Sequence, residues 1–255
     1  MATTRSARRT VFFVALVCVA GLILATPTMA APRLPGFFTD NMVLQREMAV
    51  PVWGWANPGE LVTVAFGGQT TSTTTDADGK WTLKLAAMSA SAAGHELRVS
   101  SPGSKPVSLK NVVVGEVWLC SGQSNMEWTL GQAKNAAKEI AAATYPLIRH
   151  MKVGYVTADV PLPDLRSQWQ VCSPSTAGRF TAVGYFFARK LHQELNVPIG
   201  LIGSNWGGTK VEPWTAPVGF RSVRELTSLS KRVTRLPLAC SSRISLTAVG
   251  RRSSA

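Results

Sequence analysis

The chain has 255 residues, which leaves room for one or two domains and is enough to bury an ordinary hydrophobic core. Its formal net charge is +13, but residues 1–30 carry +3, residues 220–255 carry +7, and the long middle part carries only +3. The nearly neutral middle argues against a basic face for nucleic acid, so no nucleic-acid partner is predicted for the folded part.

Residues 1–30 have the three zones of a secretory signal peptide. Three arginines occur within the first nine residues, an apolar run follows from Val11 to Leu24, and small residues precede Ala31. The apolar run is short for a membrane span. The sequence therefore predicts a secreted or periplasmic protein that is cleaved near Ala31 and has no membrane anchor in its mature form.

Residues 31–112 have the pattern of an all-β domain, with short β-rich runs separated by turn residues. This spacing favours a β-sandwich. The aromatic stripe of Trp53, Trp55 and Trp81 could stack on a sugar, but such residues more often form the sandwich core, and we predict the core position. The predicted strands are Val50–Trp55, Leu61–Phe66, Gln69–Thr75, Trp81–Leu85, Leu97–Ser100 and Val107–Val114.

Ser124 occupies the turn between a strand that leads into Leu119 and a helix predicted over Met126–Ala143. This position lifts the hydroxyl out of the sheet and directs the free N–H groups of a helical turn at an oxyanion, as a nucleophilic serine requires. From spacing alone, a helix N-cap is the more common role of such a serine.

The rest of the chain alternates strands and helices, which predicts a parallel sheet in a doubly wound domain. We expect a strand over Ile148–Tyr155, a helix over Ala182–Leu195 and a buried strand over Pro198–Ile202. The helix has an apolar stripe every fourth residue, made of Val183, Phe187, Leu191 and Leu195. Ligands bind at the carboxyl ends of such strands, so Ser124 and the loop 203–209 can share one site.

Several motifs in register resemble the sialate O-acetylesterase family, which belongs to the SGNH esterases. They are Phe38–Arg46, Pro51–Trp55, Gly115–Trp118, Gly122–Glu127, Val183–Ala188, Val197–Gly200, Trp206–Thr209 and Glu212–Trp214. The resemblance implies an α/β protein in which a β-sandwich domain (31–112) precedes an SGNH-type, flavodoxin-like parallel-sheet domain, here incomplete (113–219). It also implies a serine hydrolase that removes acetyl esters from a sugar or polysaccharide, without a metal or organic cofactor.

By this resemblance Ser124 is the nucleophile. Its own N–H is one candidate oxyanion donor, and the second lies among three loop residues between which spacing does not decide. Glu127 is a possible site carboxylate, or a partner of the helix dipole. The remaining candidates for oxyanion and substrate binding are Gln123, Asn125, Asn205, Gly207, Gly208 and Glu212.

The chain departs from the family pattern at the catalytic base, which in the family is the His of an Asp-x-x-His motif. None of the five aspartates has a His three positions later. We expect His95, His150 and His192 to be structural, with His150 the least implausible substitute base. The chain is therefore predicted to be a weak or inactive esterase, and the alternative is a non-catalytic carbohydrate-binding remnant of such an enzyme.

Residues 220–255 form a basic Ser/Arg-rich tail that we expect to be disordered, and the family pattern is expected to end near residue 216. One interpretation is a natural tail that binds an acidic polymer such as nucleic acid. The other, which the abrupt loss of pattern favours, is a truncated or frame-shifted gene. An unfinished sheet would leave an open edge and exposed apolar surface.

Overall fold

A large mixed sheet organises the part of the chain that the structure describes. The structure is a computed structural model that describes residues 31–158, 162–215, 219–220, 223 and 238–239. The predicted signal peptide and almost all of the predicted basic tail lie outside these residues. Within the described part, none of the helices combines the length and the apolar character that crossing a membrane would need.

The strands of the described part occur mostly before residue 123, and the helices follow. The α-helices are α1 (Ser124–Glu127), α2 (Ala136–Ala141) and α3 (Ala182–Leu195), and short 3-10 helices lie at Leu130–Gln132, Ala177–Arg179 and Glu212–Trp214. The strands are β1 (Val43–Gln45), β2 (Val50–Trp55), β3 (Leu61–Phe66), β4 (Gln69–Thr74), β5 (Lys80–Leu85), β6 (Ser91–Ser100), β7 (Val107–Gly122), β8 (Ile148–Lys152), β9 (Thr157–Ala158), β10 (Trp169–Val171), β11 (Ile199–Asn205) and β12 (Leu238–Ala239).

Eight strands form the large sheet in the order β10-β8-β11-β7-β6-β3-β4, and β1 pairs with β7. Strand β11 pairs in parallel with both β7 and β8, whereas β10 runs antiparallel to β8. The mixed α/β class is thereby confirmed, and so is a parallel pairing around the strand that precedes Ser124. Strands β2 and β5 form a separate antiparallel ribbon, and β12 pairs with β9.

Two apolar clusters hold the described part together. In the first, the alternating buried residues of β2 and β5 pack with those of β3, β6 and β7. Trp81 belongs to this cluster and is 3% exposed, which confirms its predicted core position. Trp53 is partly buried against the cluster, but Trp55 belongs to neither cluster and lies under the Arg33 guanidinium, so its predicted core position is wrong. The second cluster lies between α3 and the sheet and includes Tyr185, Ile199 and Leu201, each of them fully buried.

Strand β7 is long enough to pair with β6 along its first half and with β11 along its second half. Residues 107–114 pair with β6, Val113–Gly115 with β1, and Glu116–Gly122 with β11. The domain boundary predicted between residues 112 and 113 falls inside this continuous strand. The division into two domains at that point stays a prediction.

Helix α3 has the predicted bounds but buries a different side. The residues that face the core are Ala182, Gly184, Tyr185 and Ala188. Val183, Phe187 and Leu195 from the predicted apolar stripe are 51%, 39% and 45% exposed. Small residues face the sheet because the helix approaches it closely: a Cβ on Gly184 would lie 3.0 Å from the Cys120 sulfur.

The helix predicted over Met126–Ala143 is wrong, because this segment contains α1, a 3-10 turn and α2 as separate pieces. Tertiary contacts explain the first break: Thr129 forms a β-bridge with Thr181, and the Leu130 N–H donates to the Phe180 carbonyl at 2.9 Å. Asn135, in the left-handed conformation at φ 60°, makes the second break.

Candidate active site

Ser124 is the first residue of α1, and Gln123 alone separates it from the end of β7 at Gly122. The turn between them depends on Gly122, whose φ of 146° is strongly disfavoured for residues with a side chain. Ser124 is exposed, and its hydroxyl donates to the Gln123 Oε1 at 3.1 Å. Gln123 is the N-cap of α1, with no capping hydrogen bond from a side chain. The Ser124 hydroxyl is therefore not a helix cap.

The loop after β11 lies beside Ser124. Asn205 and Gly122 are register partners at the ends of their strands, and the Trp206 N–H donates to the Gly122 carbonyl at 3.0 Å. A Cβ placed on Gly207 would lie only 3.6 Å from the Ser124 Oγ. The structure thus brings together Ser124 and the loop 203–209, which the sequence pattern assigned to one site.

Glu127 connects this loop to the end of β8. One carboxylate oxygen, Oε2, accepts the Gly207 N–H at 2.6 Å. The other, Oε1, accepts from the Lys152 ammonium at 3.2 Å and from the Tyr155 hydroxyl. Lys152 also donates to the carbonyl oxygen and the side-chain oxygen of Asn205. Glu127 thus holds three chain segments around the nucleophile.

The contacts of Glu127 determine how the network is charged. Burial opposes ionisation of Glu127, but donation from Tyr155, the Gly207 N–H and Lys152 outweighs it, so the pKa of the carboxyl is lowered. The hydrogen bond that the Tyr155 hydroxyl donates to Glu127, together with partial burial, raises the pKa of Tyr155 to about 12. Burial lowers the pKa of Lys152 even though Glu127 favours the ammonium. At neutral pH Glu127 is ionised and the Tyr155 hydroxyl keeps its proton.

Some of the N–H donors around the Ser124 hydroxyl already have an acceptor, and others do not. The Gly207 N–H is engaged by Glu127, and the Asn205 amide nitrogen donates to the Cys120 carbonyl at 3.1 Å. The backbone N–H groups of Ser124 and Gly208 have no acceptor among the described residues. These two groups could bind an oxyanion without breaking a hydrogen bond within the described part of the chain.

The other candidates take different positions. Gln123 and Asn125 flank Ser124 and are exposed. Glu212 is half-buried at the start of a 3-10 turn, and among the described residues no hydrogen bond or ion pair joins its carboxylate to Ser124 or Glu127. No cluster of three or more potential metal ligands occurs in the described ranges.

The three histidines lie in structural surroundings. His150 is 5% exposed and its ring stacks on Phe180 with centroids 4.7 Å apart. Strand β11 separates its strand from β7, and burial together with Lys152 lowers the pKa of His150 to about 4. His192 bonds to the Val197 carbonyl at 2.8 Å, and His95 contacts Phe66. In the described part, no His makes a hydrogen bond to Ser124.

Sequence reasoning missed Lys152 and Tyr155. Both lie at the carboxyl end of β8, which is the third parallel strand of this region. The rule that placed the 203–209 loop at the site applies equally to this strand end. The strand predicted over Ile148–Tyr155 ends three residues later than the observed strand, so the prediction places Lys152 and Tyr155 within the strand rather than at or just beyond its end.

A family profile for the carbohydrate esterase family of sialic acid-specific acetylesterases matches residues 114–245. The chain belongs to this family. The match continues past residue 216, where we expected the pattern to end. Sialate O-acetylesterase from Mus musculus is 33% identical over 202 residues, and that from Homo sapiens is 34% identical over 203 residues.

A solved structure agrees with membership of the acetylesterase family. A carbohydrate acetylesterase from Xanthomonas citri has a TM-score of 0.75 and 36% identity, and the match covers 84% of this chain and 48% of that one. The matches to the mouse and human relatives cover 72% of this chain but 37% and 39% of those proteins. The chain thus spans about two fifths of the length of these curated relatives.

Proposed function

We propose that the chain hydrolyses acetyl esters of sugars, with Ser124 as the nucleophile. The observation that carries this proposal is the exposed Ser124 hydroxyl at the end of β7, beside the loop of Gly207 and Gly208, inside the matched family region. The Ser124 oxygen bonds to the acetyl carbon as the bond from that carbon to the sugar oxygen breaks, and the sugar oxygen takes up the proton that the serine hydroxyl loses. Water then cleaves the acetylated serine, which releases acetate and restores the hydroxyl. The N–H groups of Ser124 and Gly208 stabilise the oxyanion.

Turnover by this chain is expected to be slow. No His contacts Ser124 among the described residues, and removal of the base from such a site costs several orders of magnitude in rate. Glu127 is a poor substitute, because its lowered pKa makes it a weak base and both its oxygens already accept hydrogen bonds. Activity above the uncatalysed rate then rests on binding and on the oxyanion donors.

Acetate release from an O-acetylated sialic acid and from an acetylated xylo-oligosaccharide tests this function. The chain is compared with its Ser124→Ala variant, and Ser121→Ala is the matched control because Ser121 is an exposed serine three residues earlier. We expect slow release that Ser124→Ala abolishes and Ser121→Ala leaves unchanged. Release that Ser124→Ala does not reduce would refute the role of Ser124.

Labelling with a fluorophosphonate probe gives a second readout that does not depend on the sugar. We expect mass spectrometry to locate the adduct on Ser124, because that hydroxyl is exposed and lies beside free N–H donors. An adduct on another serine with none on Ser124 would contradict the assignment.

Export and the two-domain arrangement are part of the same proposal. The basic, apolar and small-residue zones of residues 1–30 support export with cleavage near Ala31. N-terminal sequencing of exported protein checks this, and a retained Met1 would contradict it. We further propose that the β-rich first part (31–112) and the SGNH-like α/β second part (113–219) are two separate domains.

A further inference from the structure

Two aromatic rings stand next to the Glu127 network. Tyr155 and Trp206 are stacked with centroids 4.7 Å apart and an interplanar angle of 24°. Tyr155 is 54% exposed, although a large aromatic ring in a protein is normally largely buried. Exposed apolar surface rimmed by polar groups is typical of ligand-binding grooves.

The position of this aromatic pair relative to Ser124 is fixed by hydrogen bonds. The backbone of Trp206 is bound to Gly122, and the next residue, Gly207, is bound to Glu127. The Tyr155 hydroxyl donates to the same Glu127 carboxylate. The ring of Tyr155 is therefore held at its hydroxyl end and along its stacked face, so little side-chain entropy remains to be lost when a ligand binds.

The chemistry of the pair fits a sugar ring. A pyranose presents C–H groups on its faces and hydroxyl groups around its rim. The stacked rings offer an apolar surface, and the Lys152 ammonium lies over the Tyr155 ring, 5.0 Å from its centroid. Its charge is neutralised by Glu127 in an ion pair of 3.2 Å. An aromatic surface with a few fixed polar groups is the usual lining of small-molecule sites.

We propose that Tyr155 and Trp206 form a stacking wall that binds the sugar ring of the acetylated substrate beside Ser124. This proposal rests on the proposed function for the identity of the ligand, but it concerns binding rather than turnover. The ring-stacking contact does not involve the acetyl group, so a deacetylated sugar uses the same wall.

Binding is tested by isothermal titration of an acetylated xylo-oligosaccharide and of its deacetylated parent. The full chain carries Ser124→Ala so that the ligand is not consumed. In this background we expect Tyr155→Ala and Trp206→Ala each to weaken binding of both ligands about 3–10-fold. Tyr155→Phe keeps the ring and is expected to stay within about twofold. The matched control is Trp118→Ala, because Trp118 is also exposed, at 42%, but contacts Phe187 on α3.

Several results would overturn the stacking wall. One is saturable binding that neither alanine variant weakens, and another is the absence of saturable binding by the Ser124→Ala chain itself. A loss of affinity in Tyr155→Phe as large as in Tyr155→Ala, or a loss confined to the acetylated ligand, would also overturn it. Thermal melts of each variant serve as the check that it is folded. If sugar binding depends on Tyr155 and Trp206 but the unmodified chain releases no acetate, the stacking wall is supported and the esterase proposal is refuted. The two failures are therefore distinguishable.

Discussion

Gly207 keeps the space above Ser124 open. A Cβ at this position would lie 2.8 Å from the Glu127 Oε2 and 3.6 Å from the Ser124 Oγ. We expect Gly207→Ala to displace the loop or break its bond to Glu127, and to slow fluorophosphonate labelling of Ser124 about 10–100-fold. The control is Gly154→Ala, where an added Cβ has no atom within 4 Å. Unchanged labelling in Gly207→Ala would show that the loop does not shape the site.

Glu127→Gln removes the charge that Lys152 and the Gly207 N–H contact. The pKa of Glu127 is lowered in the folded chain, so its stabilising effect is present above the carboxyl's ordinary pKa of 4.5 and is lost as pH falls through the lowered value. At pH 7 we expect the variant to lose about 1–2 kcal/mol of unfolding free energy, a modest value because Lys152 is partly exposed. Urea denaturation at several pH values measures this.

The loss of stability in Glu127→Gln should shrink toward zero in acid, where the wild-type carboxyl is also neutral. Glu96→Gln is the control, because Glu96 is an exposed strand residue with no ion pair among the described residues. A difference from wild type that does not shrink as the pH is lowered through the titration of Glu127 would mean that shape, rather than charge, accounts for it.

Single residues of the site could be predicted where a strand end was recognised. Ser124, Asn205 and Gly207 follow such ends, and the structure places them together. Their hydrogen bonds could not be predicted, because the Glu127 carboxylate meets residues 25 to 80 positions away in the chain. That Gly207 donates to Glu127 and leaves Gly208 free depends on this long-range geometry.

At the scale of elements, local pattern predicted strands better than helices. The bounds of β2, β3 and α3 match the predictions because their periodicity agrees with their packing. Residues 126–143 have helix-forming composition, but pairing of Thr129 with Thr181 overrides it. The buried side of α3 was not predictable from apolar residues, because the close approach to β7 selects small ones.

Arg149 ties β8 to β1 and β7 from inside the fold. It is 2% exposed, and its guanidinium donates to the Met42 carbonyl and to the carbonyl and side chain of Asn111. Arg149→Met would remove the hydrogen bonds that the guanidinium donates to the Met42 and Asn111 carbonyls, although the Met42 carbonyl would keep its bond from the Val113 N–H at 3.1 Å. We therefore expect a loss of about 1–3 kcal/mol in unfolding free energy. Urea denaturation is the measurement, and Arg98→Met at an exposed strand position is the control. A variant as stable as wild type would show that the cost of burying the charge cancels its hydrogen bonds.

For the whole molecule, the apolar surface on α3 is the main departure from an ordinary soluble domain. Trp118 and Phe187 contact each other at 5.0 Å and are both exposed. Exposed apolar surface of this kind favours association with a second copy.

We expect the chain to self-associate with rising concentration in light scattering coupled to size-exclusion chromatography. The double change Trp118→Lys and Phe187→Lys should shift it toward the monomer, because two charges replace the centre of the apolar surface. Leu61→Lys is the control, because Leu61 is 48% exposed on β3. Self-association that persists in the double variant and not in Leu61→Lys would place the contact elsewhere.

The continuity of β7 has a consequence for how the fold opens. The residues of β7 before Gly115 pair with β6 and those after it pair with β11, but both sets belong to one continuous strand. When one half of the strand opens, the backbone next to it loses its fixed conformation and weakens the pairing of the other half. We therefore expect both halves to open as one cooperative unit. Native-state hydrogen exchange would then give the same opening free energy for amides on the two sides of Gly115. Much faster exchange after Gly115 would instead show that the Ser124 end of the strand opens on its own, and with it the turn that holds the nucleophile.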